Sequence, residues 1–328
     1  MVYSGQISSQ DSEENKGKET LFERLAGCTD LKVVLEGQID SLIIMKMKPF
    51  ETKGKMIFSS EESEFEIPVK ISVRGKFRRR TCDFPPIALD FPKDDLKELG
   101  LKKDDNYKLV TICLDRRDAQ NYLFREYLVY KMYQEVEPTG FGAVLFPIIY
   151  KDTDFRKNRR SFAVLLESNE ELKDRLDGKW CDCMGLNMDS INDYYRELVT
   201  FFQYMIGNKD MNMHIEHNVR FLEGEQYVKK VPIPYDFDFS AFVRAPYAFT
   251  DQSVTFDRSP LVMGKNAEQL DKVLNLFLEK KERFFTIVEE FRLMSKKHKK
   301  QCLKFLRDFY KIIERPNFTT RYLEQRAF

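Results

Sequence analysis

Apolar residues in the first third of the chain recur at alternate positions in short runs. "LKVVLEGQI", "LIIMKMKPF" and "FEIPVKISVRG", all between Leu31 and Phe91, are separated by charged or glycine-containing turns. This is the spacing of strands in a twisted antiparallel sheet. "YKLVTICL" (Tyr107 to Leu114) predicts a further strand. In the next segment, Asp118 to Val136, residues Tyr122, Leu123, Tyr127, Val129, Tyr130 and Tyr133 approximate helical spacing and predict one helix packed on that sheet. "AVLFPIIY" and "SFAVLLE" add two strands.

Beyond them the pattern changes. Asn192 to Ile206 predicts a helix with one apolar face, followed by the strands "VRFLE" and "YVKKVPIPYDFDFS". Leu270, Val273, Leu274, Phe277 and Leu278, continuing into Phe284, Ile287, Val288 and Phe291, match a 3.6-residue repeat. Strands first and helices last predict an α+β chain of two lobes. Residues 1–28 read as a disordered leader, 29–166 as a β-rich lobe, and 167–328 as a mainly helical lobe.

Composition narrows the partners. Of 328 residues 42% are hydrophobic, enough for a sizeable core. The 54 lysines and arginines nearly cancel the 53 aspartates and glutamates, so no overall field draws the chain to nucleic acid, which is not expected as a partner. No apolar run approaches the roughly 20 residues that span a bilayer. The first 20 residues are polar and lack the apolar core of a signal peptide. Six cysteines are too few for a disulfide scaffold at this length, and their spacing fits no zinc knuckle. Cys82 and Cys113, near the ends of neighbouring strands, read either as a disulfide pair or as buried thiols. In "WCDCMG" the two cysteines lack CxxC spacing, and a loop is expected there.

Candidate chemistry concentrates in "GNKDMNMHIEHN" (Gly207 to Asn218) and "PIPYDFDFS" (Pro232 to Ser240). The first supplies Asp210 and Asn218, and the second supplies Asp236 and Asp238. A hairpin turning at Glu223 to Glu225 would bring Asn218 near Asp236. Phosphoryl transfer needs a carboxylate to orient the attacking hydroxyl and oxygen ligands to hold magnesium on the phosphates. Asp, Asn and Asp supply these in order.

These stretches resemble the catalytic segment of CotH-like spore-coat kinases, and more distantly that of HipA-type kinases. "VRGKFRRRTCDFPPIALDF", "YKLVTIC", "FREYLVYKMY" and "VPIPYDFDFSAFVRAPYA" extend the resemblance to an uncharacterised bacterial branch of that family, over roughly Leu31 to Tyr247. The resemblance implies a protein-kinase-like two-lobed fold with an N-terminal antiparallel sheet. It implies ATP with magnesium, or manganese in its place, as cofactors, and a protein or small-molecule hydroxyl as acceptor. Asp210 would be catalytic base, Asn218 and Asp236 metal ligands, and Asp238 a reserve ligand. Relatives are often secreted, which favours export.

Two features depart from the family pattern. No GxGxxG loop is present, and the expected hairpin "FETKGKMIF" contains only Gly54. The family's strand lysine is absent from "FPPIALDF". A basic run instead supplies Arg74, Lys76, Arg78, Arg79 and Arg80, with Lys108 on a following strand. Such residues can hold phosphates, and Glu126 on the first helix can orient an arginine. The same run also fits a solvated strand face. Two other readings stand beside the phosphotransferase: an inactive kinase-like binding module, and a metal-dependent hydrolase built on Asp210, His214, His217 and Asp236.

Overall fold

The computed structural model describes residues 18–61, 63–155, 157–249, 258, 260–261 and 266–326, so the first 17 residues of the expected leader lie outside the described residues. The leader's last turns are helical. Thr20 accepts a hydrogen bond from the Glu23 amide at 3.0 Å, while the Glu23 carboxylate accepts from the Thr20 amide at 2.8 Å. This reciprocal cap starts helix α1 (Leu21–Gly27), which buries Leu21 and Leu25.

The chain divides into two compact units, Met1–Asp115 with Ala143–Glu171, and Arg116–Gly142 with Leu172–Phe328. In the first unit β1 (Lys32–Gly37), α2 (Ile39–Ile44), β2 (Glu51–Ser59), β3 (Glu64–Val73), α3 (Lys76–Thr81), β4 (Ile87–Asp90), α4 (Lys93–Glu98) and β5 (Asn106–Val110) follow in order. Helix α5 (Ala119–Val136), expected on the sheet, groups with the second unit, and the chain returns to the first for β6 (Ala143–Asp152) and β7 (Asn158–Leu166).

The α+β mixture is as expected, but the open N-terminal sheet of a two-lobed kinase-like fold is not what forms. Seven strands close into a mixed barrel in the order β1-β2-β3-β4-β5-β7-β6. Closure comes from β1 pairing parallel with β6, from Val33 opposite Ile148 to Gly37 opposite Asp152. Alternating apolar positions describe an open sheet and a barrel equally well, and closure removes both edges that an open sheet would leave unpaired. The interior holds Leu35, Met56, Ile71, Leu89, Leu109 and Phe146, all fully buried.

Three local readings also change. "LIIM" is helical in α2, where Ile39 and Leu42, three apart, bury one face. "FETKGKMIF" is part of one strand: a Cβ at Gly54 would lie 2.1 Å from the Glu36 carbonyl oxygen, so glycine is required by the approach of β1 to β2. The basic run forms the short helix α3, not a strand face. Cys82 and Cys113 are disulfide-bonded.

The chain passes from the first unit to the second within α6 (Asn169–Arg175), which precedes β8 (Lys179–Cys181). Helix α7 (Asp193–Ile206) starts where the Asn192 side chain accepts from the Tyr194 and Tyr195 amides, at 3.1 and 3.3 Å. It ends at Gly207, whose φ of 64° suits a left-handed cap. β9 (Val219–Glu223) and β10 (Val231–Pro234) join β8 in a three-stranded antiparallel sheet. Among the described residues four helices follow, α8 (Ala267–Glu279), α9 (Lys281–Glu290), α10 (Lys296–Ile313) and α11 (Phe318–Gln325). Their core is aromatic, with the Phe201 ring centroid 4.8 Å from Phe277 and 5.8 Å from Phe309. Among the described residues no helix is long and apolar enough to cross a membrane.

Candidate functional site

The cap at Gly207 releases the chain into the loop that carries Asp210. Buried Asn208 accepts a hydrogen bond from the Asp210 amide at 3.0 Å, so Asn208, and not Asp210, caps this turn. Met211 and Met213 are buried and anchor the loop, and paired backbone hydrogen bonds between Asn212 and His217 close it. His214 and Ile215 sit at the tip, their amides bonded to the Asn212 side chain.

Asn218 immediately precedes β9. Pro234 at the end of β10 is registered opposite Val219, so the next pair is Asn218 and Tyr235, joined by a 3.0 Å hydrogen bond from the Tyr235 amide to the Asn218 carbonyl. Asp236 follows directly. Its amide donates to the hydroxyl of Tyr130, on α5, at 3.1 Å. The next residue, Phe237, is fully buried in edge-on contact with the Tyr130 ring at 4.9 Å. Asn218 and Asp236 both hold left-handed backbone, with φ of 54° and 59°. Asparagine and aspartate tolerate this region better than most residues, and such conformations cluster at functional sites.

The side chains converge on Asp210. One of its carboxylate oxygens lies 3.0 Å from His217 Nε2, and the other accepts from Asn218 Nδ2 at 2.9 Å. Asn218 Nδ2 also donates to the Asp210 backbone carbonyl at 2.5 Å. These two acceptors fix the orientation of the amide, since a flip would set its oxygen against two oxygens. Among the described residues nothing donates to Asn218 Oδ1, which is left to accept or to ligate. Burial, reinforced by the charge of Asp236, pushes the Asp210 carboxyl above its ordinary value, although His217 and Asn218 oppose the shift.

Asp210, Asn218 and Asp236 are therefore neighbours, and His217 bonds to Asp210. Asp238 is buried on the loop after Asp236. The His214 backbone carbonyl accepts from the Gly185 amide at 2.8 Å. Among the described residues, the set of three His, Cys, Asp or Glu side chains with converging ligand atoms is Cys181, Cys183 and Glu223, and not Asp210, His214, His217 and Asp236.

The expected phosphate-holding cations belong to the first unit. Lys76 and Arg80 are exposed on α3 and Arg78 is buried, with Arg74 preceding the helix. Lys108 on β5 is registered opposite Ala88, and its amine lies 3.4 Å from the Asn169 side-chain oxygen. Glu126 is buried in α5 of the second unit. Sequence reasoning missed Tyr130 as the support of Asp236 and read it only as helix packing.

No known protein-family profile and no curated protein matches the chain. Among solved structures, the crystal structure of a Helicobacter pylori proinflammatory kinase, CtkA, is similar at 10% identity and a TM-score of 0.40, over 74% of this chain and 92% of that one. A likeness this weak does not decide the fold or the function.

Proposed function

We propose that the second unit is a magnesium- and nucleotide-dependent phosphotransferase acting on a hydroxyl. The observation that carries this reading is the arrangement at Asn218. Its amide nitrogen is spent on Asp210, and its oxygen stays open beside a strand partner that leads straight into Asp236. Asn218 Oδ1 and the Asp236 carboxylate would hold magnesium, a hard cation that takes oxygen ligands and keeps several waters. Asp210 would accept the proton of the attacking hydroxyl or align it, with His217 and Asn218 fixing the carboxylate's two oxygens. Magnesium supplies charge neutralisation on the phosphates when bound. The CotH-like kinase family is part of the proposal. The Cys82–Cys113 bond accords with an oxidising compartment.

Thermal unfolding with ATP and magnesium tests the site. A ligand at ~100 times its Kd stabilises by about 2.7 kcal/mol, and at this chain length that corresponds to a few degrees in Tm. Wild type is expected to shift upward with both ligands together, and Asp236→Ala to lose the shift. Equal shifts in the two proteins would remove Asp236 from the site.

A further inference from the structure

A second cluster in the same unit contains none of the residues proposed for metal or hydroxyl binding. A cavity of about 280 Å³ is lined by Asp118, Tyr122, Arg125, Arg244, Lys297 and His298, with Pro246 and Gln301 completing the wall. Its lining carries three permanent cations and one carboxylate. That carboxylate is already committed, since Asp118 accepts from Arg116 Nε at 2.8 Å and from the Tyr122 hydroxyl at 3.1 Å.

Arg125 is the unusual member. It sits in the middle of α5 and is 1% exposed. Its guanidinium donates to the carbonyls of Phe242, Val243 and His298 at 3.3 to 3.4 Å and to the Gln301 side chain at 2.5 Å. Its Nε has no partner. Among the described residues no carboxylate pairs with it. A buried charge without a counter-charge costs several kcal/mol, and neutral carbonyls at the long end of hydrogen-bond range compensate it only in part. His298 beside it is also buried, with Nδ1 unpartnered. Burial, with the Arg125 charge behind it, holds the His298 imidazole down at about 4.

The first turn of α10, an 18-residue helix capped by Ser295, supplies Lys297 and His298 to the lining. That turn contains Lys296, Lys297 and His298 and no acid. Cations at a helix N-terminus oppose the helix dipole, whereas an anion there is favoured by it. Arg244, also in the lining, is exposed. The buried cation and the basic first turn call for the same missing charge.

We infer that this cavity binds a phosphate monoester, with Arg125, Arg244 and Lys297 as its counter-charges and the N-terminus of α10 as a further donor surface. A dianion matches the excess of cations better than a single carboxylate, and tetrahedral oxygens accept from donors arriving in several directions. The volume leaves room for the group that carries the phosphate. A bound phosphate would also fix the backbone at Phe242 and Val243, whose carbonyls Arg125 already holds. The neighbouring amides of Ala241 and Phe242 bond to the carbonyls of Gly207 and Ile206 at the base of the Asp210 loop, at 2.9 and 3.0 Å.

The test is calorimetric titration of the full chain without magnesium or nucleotide, so that the Asp236 site does not contribute. Phosphoserine, inorganic phosphate and citrate are compared at equal ionic strength on wild type and on the surface variants Arg244→Ala and Lys297→Ala, with thermal melts confirming that each variant is folded. Phosphoserine is expected to bind saturably and more tightly than inorganic phosphate, and each variant to weaken it about 10-fold, the loss of one charge-assisted contact. No saturable binding by wild type, unchanged affinity in both variants, or citrate or inorganic phosphate matching phosphoserine would overturn the assignment.

Discussion

Asp210→Asn is expected to abolish phosphoryl transfer almost completely, by about 10²–10⁴-fold in turnover, the range a positioned general base contributes, while leaving nucleotide and magnesium binding within about 3-fold of wild type. The contrast follows from the contacts. Asp210 receives a hydrogen bond from Asn218 and faces His217 Nε2. An asparagine keeps one acceptor for Asn218, and its amide can donate to Nε2 once His217 carries its proton on Nδ1. The loop geometry is therefore retained while the proton acceptor is lost. Single-turnover assays with labelled ATP, beside binding measurements on the same variant, separate the two. Retained turnover would remove Asp210 from the chemistry. Binding without turnover in wild type itself would identify a nucleotide-binding module instead of an enzyme.

The largest effect on stability is expected far from the chemistry. Glu197 in α7 and Arg326, just beyond α11, are both fully buried and form a two-pronged ion pair, with Arg326 Nη2 3.2 Å from Glu197 Oε1 and Nη1 on Oε2. Their mutual attraction offsets two desolvation penalties, so the intact pair contributes little net stability. Removing one partner exposes the whole imbalance. Glu197→Ala is expected to lower unfolding free energy by about 3–5 kcal/mol, read by urea denaturation as a fall in midpoint at unchanged slope. The double variant Glu197→Leu/Arg326→Met, which removes both charges and keeps volume, is expected to recover most of that loss. If the double variant is as unstable as the single one, packing around α7, not charge, would be the cause. The pair matters to function because α7 ends at Gly207 and delivers the Asp210 loop.

What the sequence makes legible is local. "VRFLE" and "PIP" form the hairpin that sets Asn218 beside Tyr235 because alternation, turn and strand length agree at that point. Asn192 and Gly207 mark the ends of α7 through cap chemistry carried by single residues. The remainder depends on contacts distant in sequence. Nothing in Lys32–Gly37 announces a parallel partner at Ala143–Asp152, yet that pairing turns an expected open sheet into a barrel. Gly54 reads as a turn glycine until the Glu36 carbonyl is placed against it. The basic run after Gly75 has the composition of a strand face, but Gly75 takes a φ of 80° and the chain turns into a helix. Arg125 and Glu126 look like the polar positions of an amphipathic helix, and both are buried. The contact between Arg125 and His298 spans 173 positions and leaves no trace in local pattern.

The central claim is that Asn218 and Asp236 share a divalent cation. Anomalous diffraction from crystals grown with manganese and a non-hydrolysable ATP analogue tests it most directly. The account predicts an anomalous peak within metal–oxygen bonding distance, about 2.0–2.3 Å, of both Asn218 Oδ1 and an Asp236 carboxylate oxygen. A peak held by other residues, or a bound nucleotide with no metal at these two, would contradict it.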